Sequence, residues 1–348
     1  MDKHFIRRQK IAERKAAFRT RRRRVWESLR NREKNSKKKD KYRRIRGNAS
    51  QYSINKNIIK VPNDFSLISN HVEALKFLNF CKSLDYKRSK FVYFDFQEVT
   101  NIGNGAITIL LSIIGGLQDQ NINVSGCYPN DEHARNFLER SGFLRYFKAK
   151  IKKENGNSRN AILHRGKDQT HAKETAKLIH GAMKTVWGED YRNPKLQGML
   201  IELMANTVNH AYLRRSHQKG WYFSVDHIES ENKVRFCFVD NGKGILSTIK
   251  IRFRDKILKL FDNIDDRDLI IEAFNGTFGS RTRLTNRGKG LPVIKRNLEE
   301  NVIKRLKVIS NNVILDFENK QASILEEGFS GTFYYWELDQ SCKLWKLK

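Results

Sequence analysis

Cysteine is scarce in this sequence, and no two cysteines are neighbours. Cys81, Cys127, Cys237 and Cys342 stand far apart, so the paired spacing of a structural zinc site is missing. Such usage suits a reducing compartment. Long apolar runs are missing too. The longest, AITILLSIIGGL at 106–117, ends in two glycines and is too short to cross a bilayer. The first residues carry charge with no apolar segment behind them, which argues against a secretory signal. These absences predict a soluble, cytoplasmic protein with no membrane span.

Acidic residues are also in short supply. The chain has 68 Lys/Arg against 38 Asp/Glu, a formal charge of +30. The excess is uneven: residues 1–46 hold 21 Lys/Arg and 5 Asp/Glu, a net +16. A charge this lopsided points to a polyanionic partner. In residues 1–50 a basic arm is interrupted by Phe5, Phe18, Val25, Trp26 and Leu29 at loosely helical spacing. Such an arm is either disordered or helical on its partner. Without a broad apolar face it suits nucleic acid better than a membrane surface, and it would grip phosphates without reading sequence. The plainer reading is a solvated tail.

What remains is enough for roughly two domains at 348 residues. The 39% apolar content supports packed cores. Residues 51–155 alternate strand and helix patterns. NIIKVP (57–62), KFVYFDF (90–96) and NINVSGC (121–127) read as strands. The stretches 67–84, 105–120 and 131–147 read as helices, the last stopping at Gly142. That alternation predicts a small α/β layer. The stretch FVYFDFQEVTNIGNGAITILLSIIGGLQDQNINVSGCYPNDEHARNFLERSGFLRYF resembles, in pattern more than identity, the STAS domain of anti-sigma-factor antagonists. In that family a serine at a helix start is phosphorylated by a partner kinase. Aligned on VTNIGNGAI (99–107), Asn104 takes its place and has no hydroxyl to modify. The resemblance implies a docking module for a protein partner. A generic α/β cap is the alternative.

A polar linker, KKENGNSRN (152–160), separates this region from residues 160–348. There NAILHR (160–165) reads as a strand, and HAKETAKLIHGAMKTVW (171–187) as an amphipathic helix. A second helix, PKLQGMLIELMANTVNHAYLRR (194–215), begins with a proline suited to a first turn. Glu202, Asn206 and His210 fall four apart on one face. Leu200, Leu203, Met204, Val208 and Ala211 form an apolar stripe opposite. The polar line is either a site or a solvated face. In FVDNGKGI (238–245), Asp240, Gly242 and Gly244 follow a strand pattern, giving either a hairpin turn or backbone thin enough to meet a flat ligand. NRGKGLPVIKRNLEE (286–300) places Arg287, Gly288, Lys289, Gly290 and Leu291 before a helix, where amide groups can cradle phosphate. In SGTFYYWEL (330–338), Thr332 leads into a closing strand.

In this order and spacing the four stretches resemble the GHKL ATPase superfamily of gyrase B subunits, heat-shock chaperones, histidine kinases and the mismatch-repair MutL proteins. ELMANTVNHA looks most like the version found in anti-sigma kinases. The resemblance implies an α/β fold: basic arm, STAS-like domain, then a GHKL sandwich of helices on a mixed sheet. It implies ATP and Mg²⁺ as ligands. Glu202 would be the general base and Asn206 the Mg²⁺ ligand. Asp240 would read the adenine amine, with Thr332 supporting it through water. Gly242 and Gly244 would shape the pocket. Arg287, Gly288, Lys289 and Gly290 would hold phosphates, with Leu291 completing that box. Residues 246–286 would form the lid. His210 would support the site or be an ordinary helix histidine. His171 and His180 lack the acidic residue and proline that follow a histidine-kinase acceptor. The expectation is an ATPase switch, able to dimerise with ATP, with residues 1–46 on nucleic acid. The alternatives are an anti-sigma-like serine kinase or partner-binding regulator, and ATP binding without turnover.

Overall fold

The computed structural model describes residues 58–84, 91–143, 164–166, 172–210, 220–261, 264–278 and 290–344. The basic arm and the 152–160 linker lie outside them. Residues 54–348 form one compact unit, a mixed α/β structure built on two main sheets.

The first sheet is small and parallel. Its strands β1 (Ile58–Lys60), β3 (Phe91–Asp95) and β5 (Asn123–Gly126) lie in that order. A short pair, β2 (Asp64–Phe65) and β4 (Asn101–Ile102), sits beside it. Helices α1 (His71–Ser83), α2 (Asn104–Asp119) and α3 (Glu132–Arg140) complete the layer. Asn70 caps α1 by accepting from the Glu73 amide, and Asp131 caps α3 by accepting from Ala134, which supplies partners for otherwise orphaned amides.

Helix α2 has no polar face. Every residue from Asn104 to Leu117 is buried. A helix apolar all round needs cover on every side. Here β5 lies against it in the first layer, and two strands of the second sheet, β7 (Trp221–Ile228) and β8 (Lys233–Asp240), lie against it too. The apolar run too short for a bilayer is thus the shared wall between two sheets.

The second sheet has the order β6 (His164–Gly166), β7, β8, β10 (Gln321–Leu338), β9 (Lys304–Asp316). All four of its pairings are antiparallel, which corrects the expectation of a mixed sheet. Side chains alternate between its faces. Phe223, Phe236 and Trp336 stack across three strands, Phe236 on Trp336 at 5.4 Å between centroids. They join the core made with α4 (Ala172–Trp187) and α5 (Pro194–His210). On the opposite face, Ser224 meets Thr108 of α2 at 2.8 Å between hydroxyls, and Phe333 lies against Gly105. Burial on both faces explains why YFSV, FCFV and FYYWEL are buried nearly throughout, where a one-sided antiparallel sheet would alternate.

After β8 the chain forms α6 (Ile245–Arg252), α7 (Arg254–Leu260) and α8 (Asp266–Asn275), and α9 (Gly290–Glu299) precedes β9. Leu246, Ile249, Leu269, Ile270, Ala273 and Phe274 are buried in the same core. Helices α6, α7 and α8 occupy most of the span 246–286 expected as the lid. Residues 262–263 and 279–286 of that span lie outside the described residues.

The α2 interface makes the first prediction. A Cβ on Gly105 would fall 2.5 Å from the Phe333 ring. Overpacking of this kind costs about 1–3 kcal/mol, so Gly105→Val should lower the urea midpoint in step. An unchanged midpoint would show that the two layers are not tightly packed there.

Candidate functional site

Strand β8 is flanked by β7 and β10 and runs into α6, so FVDNGKGI is not a hairpin. Asp240 ends the strand, directly opposite Thr332 of β10. Val234, Phe236 and Phe238 share its face of β8 and point into the core with α5. Tyr334 and Trp336 do the same on the strand of Thr332. Asp240 and Thr332 therefore stand side by side on the face covered by α4 and α5, at one end of the sheet.

The carboxylate of Asp240 accepts from the Gly242 amide at 2.7 Å and from the Thr332 hydroxyl. Burial nevertheless dominates and pushes its carboxyl up to about 6, against the pull of the Gly242 amide, Thr332 and the charge of Lys82. Asn241 beside it keeps a buried side-chain oxygen without a hydrogen-bond partner.

The glycine turn is clasped from β9. Gly244 has φ of 83°, favourable only without a side chain, and a Cβ there would strike the Asn311 amide oxygen at 2.3 Å. Asn311 donates to the Lys243 carbonyl at 2.9 Å and to Ser247 Oγ at 2.8 Å. Ser310 Oγ accepts from the Ile245 amide at 2.8 Å and lies 3.4 Å from Thr332 Oγ1. Neither residue was expected at the site. The available signal was a Ser-Asn-Asn interruption in the apolar run KVISNNVIL.

The other half is built on α5. Asn193 caps this helix by accepting from the Leu196 amide at 3.0 Å, and Pro194 follows as its first residue. Glu202 and Asn206 are one turn apart and half-buried. Gly290, first residue of α9, closes on both. A Cβ there would lie 3.0 Å from Asn206 Nδ2 and 3.2 Å from Glu202 Oε1. A helix start is thus brought against a carboxylate and an amide. Burial pushes the Glu202 carboxyl up. Leu291 packs against the core. Arg287, Gly288 and Lys289 lie outside the described residues, as do His171 and the side chain of His210.

Two observations bear on a Mg–ATP ligand: Asn241 keeps an orphaned oxygen, and Gly290 lets the start of α9 come against Glu202 and Asn206 without a Cβ between them. Among the described residues no three His, Cys, Asp or Glu side chains gather to hold a metal. Asn206 would then share Mg²⁺ with phosphate oxygens rather than with a protein cage. A separate open recess of about 370 Å³ on α4 is lined by Ala176, Lys177, His180, Gly181, Lys184 and Asp190. It shares no residue with the site, and His180 is bonded there to Asp190.

Asn104, aligned with the phosphorylated serine of STAS domains, is buried with both polar side-chain atoms unpartnered. It sits beside the Gly105–Phe333 contact, inside the layer interface.

Comparison with protein-family models, with curated proteins and with solved structures returns no match. The functional reading therefore stands on the geometry and the residues.

The raised Asp240 carboxyl has a stability signature. Its folded value, about 6, lies above the ordinary aspartate value of 3.8, so its contribution is fullest at acid pH and is lost as pH rises through about 6. At pH 7.5 an uncharged amide removes that cost. Asp240→Asn should raise Tm by about 2 °C there, with the gain vanishing near pH 4. A destabilised Asn variant at pH 7.5 would show that the carboxylate is a structural anchor.

Proposed function

We propose that residues 164–344 bind Mg–ATP and hydrolyse it as a nucleotide-controlled switch of the GHKL type. The observation that carries this reading is the closure of Gly290, at the start of α9, on Glu202 and Asn206 of α5. It puts a carboxylate, an amide and a helix N-terminus in one place, which supports phosphate chemistry. Asp240 and Thr332, paired at the sheet end, supply an acceptor for an adenine amine.

In this reading the adenine amine donates to the Asp240 carboxylate, and the Thr332 hydroxyl holds that carboxylate in place. Gly242 and Gly244 keep side chains away from the base. Mg²⁺ held by Asn206 would offset the negative charge of the phosphates. The amides at the start of α9 face the phosphates, with Arg287, Gly288 and Lys289 just before them in sequence. Glu202 takes the proton of the attacking water, and burial, which raises its affinity for protons, favours that role. Positioning and charge then supply most of the rate.

Hydrolysis is favoured over transfer to the first layer because Asn104 has no hydroxyl and is buried. Residues 1–46, with their +16, are assigned to nucleic acid through its phosphates, giving the switch something to control. The whole is a soluble, cytoplasmic regulator in this reading, with ATP-dependent dimerisation as one way to transmit the nucleotide state.

Two outcomes test this. Glu202→Ala should cut phosphate release by about a hundredfold or more while ATP still binds; unchanged release removes Glu202 as the base. Deleting residues 1–46 should weaken nucleic-acid binding and flatten its salt dependence without changing ATP affinity. Equal nucleic-acid binding by the shortened chain would reject the arm as the contact.

A further inference from the structure

The first layer reaches the second at a place that matters for the pocket. Asn79 and Lys82 stand three apart on α1, hence on one face. Asn79 Nδ2 donates to the Gly328 carbonyl at 2.7 Å, and Lys82 Nζ to the Ser330 carbonyl at 3.3 Å. The Lys82 ammonium also lies 4.5 Å from the centre of the Phe329 ring. These contacts hold the stretch 328–330 of β10, where the pairing with β9 slips between Ile324 and Phe329 and again between Phe329 and Thr332. Thr332 follows directly. On its far side this stretch touches Asp240: a Cβ on Gly331, whose φ is 120°, would meet the Asp240 carbonyl oxygen at 2.2 Å. The segment that presents Thr332 is therefore held between α1 and the end of β8.

The charges agree with the geometry. Burial pushes the Lys82 ammonium down to about 8, and the Asp240 carboxylate opposes that fall. In return Lys82 pulls the Asp240 carboxyl down. The other groups acting on Asp240 are the Gly242 amide and the Thr332 hydroxyl. Buried Tyr334 also feels its charge, with its phenol pushed well above the ordinary value by burial first and by Asp240 second.

We propose that Lys82 is a positioning residue for the nucleotide pocket: it fixes the 328–330 stretch that leads into Thr332 and adds a positive charge to the field felt by Asp240, so the first α/β layer sets the nucleotide affinity of the second. The premise is that the site binds ATP. A partner that pulls α1 off β10 lowers that affinity, and bound ATP resists the pull. The first layer thus acts as a built-in regulator and need not receive phosphate.

The test uses the full chain. Lys82→Gln keeps a donor for the Ser330 carbonyl and removes the charge. Lys82→Arg keeps the charge. Asn79→Ala loosens the stretch without touching either charge. ATP affinity is measured by calorimetry with Mg²⁺ from about pH 5.5 to about pH 8, with thermal melts as a fold check. In the wild type, affinity falls as pH drops through about 6, where Asp240 gains its proton. In Lys82→Gln the midpoint moves up and binding near pH 6.5 weakens with it. Lys82→Arg restores the midpoint, and Asn79→Ala weakens binding with the midpoint unmoved. Wild-type affinity and midpoint in folded Lys82→Gln would overturn this inference alone. No ATP binding by the wild type would overturn the pocket reading and this inference with it.

Discussion

Everything in this protein depends on the burial of one antiparallel sheet on both of its faces. Helices α4 and α5 cover one face. Helices α1 and α2, which belong to another layer, cover the other. A sheet with aromatic side chains on both faces cannot stay in water with either face bare. Helix α2 has the same difficulty, since it has no polar stripe to expose. Each element satisfies the other, and the polar bond between Thr108 and Ser224 fixes the register in which they meet.

That constraint decides where chemistry can occur. The sheet interior is filled by Phe223, Phe236 and Trp336, so polar groups gather at the end where β8 and β10 stop pairing. Asp240 emerges there with only part of its charge balanced. Asn241 leaves an oxygen unpartnered, and Gly244 holds a backbone that other residues avoid. Unfavourable local features are concentrated in this one turn, which is what the proposed ligand site requires. Ser310 and Asn311 keep that turn rigid from the neighbouring strand. On α5 a carboxylate is half-buried beside a helix start, and Gly290 permits that close approach.

Much of this was legible in the sequence, and the rest was hidden for physical reasons. Helices with clear periodicity, such as α4 and α5, lie where the pattern puts them, because local spacing alone determines which face is apolar. The glycines at 244 and 290 stood out, and close approach demands them. The clasp by Ser310 and Asn311 was hidden, since those residues lie more than 60 positions from the turn they hold. Lys82 and Asn79 were hidden for the same reason, at separations of 248 and 249. The lid expected over 246–286 is only partly described. Its Gly-, Ser-, Thr- and Arg-rich end lies mostly outside the described residues, while Leu269, Ile270, Ala273 and Phe274 recur at helical spacing within the span and bury together. The mixed sheet was inferred from resemblance, and strand direction is set by pairings that no single segment encodes.

The central claim is that the end of β8 reads a nucleotide through Asp240. It is tested most directly by titrating Mg–ATP into the full chain by calorimetry near pH 7.5, wild type beside Asp240→Asn. The account predicts one site in the wild type and a loss of about tenfold or more in the variant, since an amide replaces the charged acceptor of a buried amine. Equal affinity in the two proteins, with both folded, would contradict it.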